Sequence, residues 1–158
     1  MPTSPRASQA GFTLLEILIV LLITTILAGL ASRSLTQWQQ RQAVRASAID
    51  LAHFLNRLRQ QASRYHSTVV VAVAPSADNV RVVANSDPRV GLEQHWEWRP
   101  LDSAVQVVAI VGEPRFFGKH STAWPGSIEI GNKAARWRII ISAHGRVRYC
   151  QAQDKGCQ

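Results

Sequence analysis

The hydrophobic positions divide the chain into three parts with different periods. Residues 12–31 are almost all apolar, small or hydroxyl-bearing, and as a helix they would be about 30 Å long, which matches the hydrocarbon core of a bilayer. Between residues 32 and 65 the apolar positions recur mostly at three- and four-residue steps, which predicts an amphipathic helix with one apolar stripe. From residue 66 onward, short β-branched or alternating runs predict strands.

The first two parts can form one continuous helix, because no proline occurs between Pro5 and Pro75. We expect this helix to run from about Phe12 to Tyr65, a length of about 80 Å. An apolar stripe of this kind is a packing face and requires a globular domain to cover it. Its members are Leu35, Trp38, Val44, Ala48, Leu51, Leu55, Leu58, Ala62 and Tyr65.

The predicted strands are short and are separated by Pro, Asn, Asp and Gly residues. They occupy 67–74, 79–84, 94–99, 104–111, 127–130, 136–142 and 145–150, and a loop is predicted over 112–126. A long helix followed by many short strands is typical of an α+β fold. We therefore expect a long N-terminal helix whose first half, 12–31, is a transmembrane or filament-core segment. Its second half, 32–65, packs against a C-terminal antiparallel sheet domain at 66–158.

The formal net charge of +8 is unevenly distributed. Residues 33–64 carry six arginines and one acidic residue, and residues 115–158 carry eight basic and two acidic residues. Residues 65–114 carry six acidic and three basic residues. Such segregation indicates either a polyanionic partner or solvated basic faces. For the helix we favour a solvated face, because arginines on a long helix often face water or acidic neighbours.

Glu16 is the one charged residue inside the apolar segment. A carboxylate near the centre of a bilayer costs about 3 kcal/mol, so it needs a partner. A polar leader precedes the apolar segment, which is the reverse of a secretory signal with a cleavage site after its apolar part. Removal of residues 1–11 would give Phe12 a new α-amino group one helical turn from Glu16, in this chain or in a neighbouring one. The alternative is that Glu16 lies at the interface with its carboxylate in water.

The stretch G-F-T-L-L-E at residues 11–16, followed by the apolar segment, resembles the class III signal of type IV prepilins and pseudopilins. The resemblance implies that a prepilin peptidase cleaves between Gly11 and Phe12, that Phe12 is N-methylated, and that Glu16 takes part in assembly with other pilin subunits. It also implies a single-pass protein of the bacterial inner membrane. The globular domain would lie in the periplasm and then in an extracellular pilus.

The two cysteines, Cys150 and Cys157, lie seven residues apart near the C-terminus. In an exported protein they would form a disulfide that closes a short loop and contributes about 2–3 kcal/mol, whereas in the cytosol they would be free thiols. No C-x-x-C pair or histidine cluster accompanies them, so no metal site is expected. The sequence has no Gly-rich phosphate loop, G-x-S-x-G or H-E-x-x-H motif. We therefore expect no cofactor, no catalytic residue and no enzyme.

The stretch R-W-R-I-I-I-S-A-H-G-R-V-R-Y-C at residues 136–150 predicts a β-hairpin. With a three-residue turn in which Gly145 adopts the left-handed conformation, Ser142 lies opposite Arg146 and Ile140 opposite Arg148. A two-residue turn would shift the register by one residue and scatter the arginines over both faces. The hydrophobic alternation favours the three-residue turn, which places four arginines on one face: Arg136, Arg138, Arg146 and Arg148.

Four guanidinium groups on one face, with Lys119, Lys133 and Lys155 expected nearby, would form an anion-binding strip. Arginines two residues apart in a strand are about 7 Å apart, close to the spacing of phosphates along a DNA strand. Guanidinium groups bind phosphate oxygens in a bidentate manner. Nothing in the sequence resembles a base-reading helix, so we expect binding that is independent of sequence and sensitive to salt. The alternative is a solvated face that aids solubility.

The class III signal, the strand-rich domain and G-R-V-R at 145–148 together resemble the GspH/FimT family, and FimT-like minor pilins most of all. In that group a G-R-x-R motif is associated with binding of DNA during natural transformation, which implies that role for Gly145, Arg146 and Arg148. We therefore expect a minor type IV pilin that binds double-stranded DNA. The alternatives are a GspH-like minor pseudopilin of a type II secretion system or a pilus-assembly subunit without a ligand, and an adhesin for anionic surface polymers.

Overall fold

The computed structural model describes residues 13–75, 81–87 and 94–157, with the backbone alone at 30–33. Its first element is a 52-residue helix, α1 (Leu14–Tyr65). Thr13 caps the N-terminus, since its side-chain oxygen accepts the Glu16 N–H at 3.3 Å. The helix ends because His66 adopts a left-handed conformation, with φ of 51°. The Ser67 N–H then donates to the Ala62 carbonyl at 3.1 Å, which is the bond of a Schellman motif.

The chain divides into two compact units, residues 1–37 and 38–158. In the first unit the large apolar side chains from Leu14 to Leu27 are all exposed, from 84 % at Leu14 to 45 % at Ile19. This part of α1 is apolar enough and long enough to cross a membrane, and none of that stretch is buried. The prediction of a transmembrane segment that starts at Phe12 extends one residue beyond the described part of the chain, and the leader at 1–11 lies outside it.

The second unit contains the C-terminal half of α1 and two antiparallel sheets. The strands of the first sheet are β1 (Thr68–Ala74), β2 (Arg81–Ser86), β3 (His95–Trp98), β5 (Arg115–Phe117) and β6 (Thr122–Trp124). Those of the second are β4 (Gln106–Val111), β7 (Gly126–Gly131), β8 (Arg136–Ile141) and β9 (Val147–Gln151), followed by one 3-10 turn at Lys155–Cys157. The first sheet has the order β3-β2-β1-β5-β6 and the second the order β4-β7-β8-β9.

The core lies between α1 and the inner faces of both sheets, which confirms the predicted α+β arrangement. The buried residues of α1 include Val44, Ala48, Leu51, Leu55, Leu58 and Ala62, and those of the strands include Val69, Val71, Val82, Phe116, Ile128, Ile130, Ile139 and Ile141. Polar contacts between α1 and the rest of this unit add to the packing. Trp98 Nε1 donates to Asp50 Oδ2 at 2.7 Å, and Asn132 Nδ2 donates to the Gln40 carbonyl at 2.9 Å.

The ends of the predicted stripe are exposed rather than covered. Within the second unit, Trp38 and Tyr65 are 58 % and 55 % exposed, so the expectation that the strands cover the whole stripe is wrong at these two positions. Leu35, in the first unit, is 54 % exposed. The physical reason is the limited reach of the sheets, since the fully buried positions of α1 begin at Val44 and end at Ala62. The apolar surface at Trp38 and Tyr65 therefore remains available within this unit.

The predicted loop at 112–126 is also wrong, because it contains the hairpin of β5 and β6. Each strand has only three residues, which is too short for a period-2 pattern to be recognised in the sequence. The pairing of β5 with β1 and the burial of Phe116 at 1 % exposure hold the hairpin in the first sheet. Its turn packs on α1 at Gly118, where a Cβ would overlap the Ala62 carbonyl oxygen.

Candidate functional site

The C-terminal hairpin of β8 and β9 has the three-residue turn expected from the sequence. Ile140 pairs with Arg148, Arg138 pairs with Cys150, and the Ser142 N–H donates to the Arg146 carbonyl at 3.0 Å. Gly145 has a φ of 71°, a conformation that favours glycine. This register places the side chains of Ile139 and Ile141 in the core. All four arginines of the hairpin therefore occupy its other face.

Two carbonyls of the turn accept hydrogen bonds from other elements. The Ala123 N–H of β6 donates to the Ala143 carbonyl at 2.9 Å, and Arg59 Nη1 of α1 donates to the Gly145 carbonyl at 3.2 Å. Within the turn, the Ser142 carbonyl and hydroxyl accept the N–H groups of Gly145 and Arg146 at 2.8 and 3.2 Å. Gly145 is itself buried, so it does not contact a ligand directly. Its part in the site is to fix the backbone conformation immediately before Arg146.

Arg136 and Arg138 are engaged by a carboxylate of the neighbouring strand. Glu129 on β7 lies directly opposite Arg138, and its Oε2 lies 3.1 Å from Arg138 Nη2, while its Oε1 lies 3.8 Å from Arg136 Nη1. Arg138 Nη1 also donates to the Cys157 carbonyl at 3.3 Å. The Glu129 side chain is only 15 % exposed, so these arginines compensate a largely buried negative charge.

Arg146 and Arg148 differ in that both are exposed and neither forms an ion pair with an acidic residue in the described part of the chain. Their Cα atoms are separated by one residue of β9, a distance of about 7 Å. Because their guanidinium groups have no internal counter-ion there, both are available to an external anion. The predicted strip of four arginines thus contains two that are engaged and two that are available.

The three lysines do not form one cluster with these arginines. Lys119 lies in the β5–β6 turn, two residues before Ser121, whose carbonyl oxygen lies next to Gly145. Lys133 lies in the β7–β8 turn, at the opposite end of β8, which is about 17 Å long. Lys155 lies in the 3-10 turn after β9. Of the predicted lysines, Lys119 is therefore the one beside the turn that carries Arg146.

Cys150 and Cys157 form a disulfide, with their Cα atoms 5.7 Å apart. This bond attaches the C-terminal 3-10 turn to β9 and buries Cys157, which is 1 % exposed. It also holds the Cys157 carbonyl where Arg138 donates to it. The disulfide therefore belongs to the half of the hairpin in which the arginines are engaged.

No metal site occurs among the described residues, where no group of three or more His, Cys, Asp or Glu side chains comes together. His95 Nδ1 lies 2.6 Å from Asn85 Oδ1, and Glu97 binds Arg99 and Arg81 at 2.5 and 3.1 Å. Hydrogen bonds from Arg99 and then Arg81 hold the pKa of Glu97 below its ordinary value of 4.5. His95 and Glu97 are thus each engaged with a different neighbour, which argues against an acid–base pair.

At the N-terminus the structure describes Glu16 but not Gly11 or Phe12. Thr13 and Glu16 have the T-x-x-E spacing of a capping box, and a carboxylate in the first turn is favoured by the helix dipole. The bond observed is the one from the Glu16 backbone N–H to the Thr13 side chain, a local contact that was not expected from the sequence. The predicted contact of Glu16 with the Phe12 amine lies outside the described residues.

Comparison with known proteins gives two findings. Residues 6–32 match the model of the prokaryotic N-terminal methylation motif. The fold is similar to that of the minor pseudopilin EpsH from the type 2 secretion system of Vibrio cholerae, with a TM-score of 0.52 and 17 % identity over 70 % of this chain and 98 % of that one. The chain combines the N-terminal motif of the type IV pilin class with a pseudopilin fold. No curated protein matches the sequence significantly.

Pilins and pseudopilins are structural subunits rather than enzymes, in agreement with the expectation from the sequence. The membrane-length apolar part of α1 fits a membrane-anchored pilin. The residue that sequence reasoning missed is Arg59. No signal in the sequence distinguishes it from the other helix arginines, because its bond to Gly145 joins residues 86 positions apart.

Proposed function

We propose that this protein is a FimT-like minor type IV pilin that binds double-stranded DNA through its C-terminal hairpin and thereby serves DNA uptake in natural transformation. The observation that carries the proposal is the state of Arg146 and Arg148. Both guanidinium groups are exposed and without an ion pair in the described part of the chain, and the turn before them is held by two other elements, β6 and α1, and by the hydrogen bonds of Ser142. Preorganised, uncompensated cations favour binding of a polyanion.

The expected mode of binding is contact with the phosphate backbone. The spacing of about 7 Å between Arg146 and Arg148 suits successive phosphates of one strand. The site consists of a strand and a turn on a sheet, and neither has the shape of a helix that reads bases in the major groove. The affinity should therefore be similar for DNA of different sequences. The logarithm of the binding constant should fall linearly with the logarithm of the salt concentration.

The test is a titration of residues 38–158 with a double-stranded DNA at two or more salt concentrations. This fragment contains both sheets, the disulfide and every buried residue of the core. Exchange of Arg146 and Arg148 for glutamine should abolish binding at moderate salt and reduce the salt slope by about 2. The matched control exchanges two exposed helix arginines, Arg41 and Arg45, for glutamine. Equal loss of affinity in the two double variants, or none in the first, would contradict the proposal.

A structural subunit without a ligand is the second candidate, and the likeness to the pseudopilin EpsH favours it. The two candidates differ in the phenotype of the Arg146 and Arg148 double variant in the producing bacterium. DNA binding predicts that filaments assemble normally while DNA uptake is lost. A purely structural role in a pilus or in type II secretion predicts that assembly or secretion is lost instead. If the protein is an adhesin for anionic polymers, heparin should compete with DNA for binding as well as unlabelled DNA does. The double variant should then lose attachment to surfaces.

We also propose that a prepilin peptidase cleaves between Gly11 and Phe12 and that Phe12 is N-methylated, with support from the methylation motif at 6–32. The new amine would pair with Glu16 of this or a neighbouring subunit, the protein would span the inner membrane once, and the globular domain would be periplasmic before it joins a pilus. Mass spectrometry of the mature N-terminus tests the cleavage. An intact leader in a strain that contains the peptidase would contradict it.

A further inference from the structure

A cavity of about 250 Å³ lies between α1 and the β5–β6 hairpin, beside the turn that carries Arg146. It is lined by Asn56, Arg59, Gln60, Ser63, Phe116, Phe117, Ser121 and Thr122. Ser121 and Arg59 both border Gly145 as well, so the cavity and the turn share a wall. The cavity therefore lies on the α1 side of the turn, next to the backbone residue that precedes Arg146.

The chemistry of the lining suits an anion with several oxygen atoms. It provides one guanidinium group, two carboxamides and three hydroxyl groups above two phenyl rings, and it contains no carboxylate. All of the polar groups can donate hydrogen bonds, and a guanidinium group with neighbouring hydroxyls is a common arrangement for phosphate. A cationic ligand would find no counter-charge in this cavity.

Arg59 is the residue that joins the cavity to the turn. Its Nη1 atom donates to the Gly145 carbonyl at 3.2 Å, which uses one of the five N–H groups of the guanidinium. The side chain is exposed and forms no ion pair with an acidic residue in the described part of the chain. The remaining N–H groups are therefore free to bind an oxyanion while the bond to the turn is kept.

We propose that Arg59 and the cavity form a third phosphate site, which continues the path of a DNA strand from Arg148 and Arg146 across the turn onto α1. The inference rests on the proposed function and adds to it a contact from another element of the fold. Arg59 has two tasks in this arrangement, since it binds a phosphate and also fixes the position of the turn. A track that crosses from β9 to α1 would hold a strand in one orientation on the protein.

The test measures binding of a fluorescent 20-base-pair duplex by the full chain in a non-ionic detergent at several salt concentrations. Arg59→Gln should lower the affinity about fivefold and reduce the salt slope by about 1, whereas Arg59→Lys should keep most of the slope. The matched control is Arg57→Gln, which removes the same charge two residues away. Arg57 is exposed and lines a different cavity, with Trp96 and Glu97. It should change both quantities less.

A second variant tests the cavity without removal of the bond between Arg59 and Gly145. Ser63→Glu places a carboxylate on the cavity wall and should weaken duplex binding at least fivefold. Its control is Gln42→Glu, the same charge change at an exposed position of α1 away from the cavity. Melting temperatures of all variants identify any that fail to fold.

Three outcomes would overturn the inference. Equal effects of Arg59→Gln and Arg57→Gln would show only a general influence of charge. Loss of affinity with an unchanged salt slope would show that Arg59 positions the turn and binds no phosphate. Stabilisation of the wild-type fold by millimolar inorganic phosphate, but not by duplex at the same phosphate concentration, would show a site for free phosphate. If instead the Arg146 and Arg148 double variant binds DNA normally, the proposed function itself fails.

Discussion

Two pairs of arginines occupy one face of the C-terminal hairpin, but their surroundings differ. Arg136 and Arg138 on β8 bind Glu129 of the adjoining strand β7, and Arg138 also binds the Cys157 carbonyl. Arg146 and Arg148 are on the turn and on β9, where the described residues provide no carboxylate within ion-pair distance. The same residue type on the same face therefore stabilises the fold at one end and is available to a partner at the other.

The difference follows from the order of strands. β8 is an inner strand with β7 on one side, so its arginines lie opposite the side chains of β7. β9 is an edge strand, and one of its sides has no neighbouring strand in the second sheet. An acidic residue on β7 can therefore reach β8 but not Arg148. An arginine on an edge strand also opposes pairing of that edge with another chain.

Among changes that test the difference between the two ends of the hairpin, removal of the disulfide should have the largest effect on stability. Exchange of Cys150 and Cys157 for serine should lower the free energy of unfolding by about 2–3 kcal/mol, because the unfolded chain is no longer closed into a loop. The engaged end of the hairpin should suffer most, since the Cys157 carbonyl is no longer held next to Arg138. Denaturant unfolding of residues 38–158 measures this.

The available end should be unaffected by that change. The turn before Arg146 is fixed by Ser142, Ala123 and Arg59, none of which depends on the disulfide. DNA affinity of the folded serine variant should therefore stay within about twofold of the wild-type value. Reduction of the wild-type protein is the control and should reproduce the stability loss. Loss of DNA binding in the serine variant would show that the two ends of the hairpin are coupled.

The next largest effect is the difference in DNA affinity between two variants that each remove one arginine, one from each pair. Arg148→Gln should lower DNA affinity about fivefold and reduce the salt slope by about 1, because it removes one phosphate contact. Arg136→Gln removes the same charge from the same face, and should change affinity less than Arg148→Gln does, since Glu129 Oε1 lies 3.8 Å from Arg136 Nη1 and offsets part of its charge. Fluorescence anisotropy at two salt concentrations measures both. Equal losses would mean that Glu129 does not distinguish the pairs.

A smaller effect, of opposite sign, is expected when the engaged pair is released. Glu129→Gln removes the carboxylate between Arg136 and Arg138 and should raise DNA affinity about twofold, with a steeper salt dependence. It should also lower stability, because the arginines lose their ion pairs. Glu113→Gln is the control, since it removes a more exposed carboxylate that binds Arg115 elsewhere. A gain of affinity in the control alone would contradict the prediction.

The smallest effect concerns Glu97, an exposed counterpart of Glu129 on the first sheet. Its pKa is lowered below 4.5 by Arg99 and Arg81, so it binds fewer protons in the folded state than in the unfolded state near that pH. The resulting stabilisation is present above 4.5 and is lost as the pH falls through the lowered value. The unfolding free energies of wild type and Glu97→Gln should therefore converge in acid. A difference that grows as the pH falls would contradict this.

Much of the fold could be predicted from local patterns. The change of period near Tyr65 located the end of α1, although the left-handed residue that ends it is His66 rather than a glycine. The alternation in 136–150 and the position of Gly145 predicted the hairpin register, because a slip of one residue would expose the isoleucines. The short strands at 115–117 and 122–124 were missed, since three residues carry no recognisable period.

The candidate site was predicted only in part. Arg146 and Arg148 were identified correctly as residues on one face with Arg136 and Arg138, but the sequence could not show that Glu129 engages the latter pair. Nor could it show that Lys133 lies at the far end of β8 from Lys119. These relations depend on which strands become neighbours, and neighbouring strands are not recorded in any local period.

What the sequence determined by itself is the local structure: a membrane-length apolar helix segment, the T-x-x-E cap at its start, a strand-rich region and a tight basic hairpin. Each of these follows from interactions between residues close in the chain, whose spacing is visible in the sequence. The tertiary structure alone decided which cations are available. Compensation of a charge requires an opposite charge within a few ångströms, and Glu129 and the Arg59–Gly145 bond reach the hairpin only when α1 and the two sheets pack together.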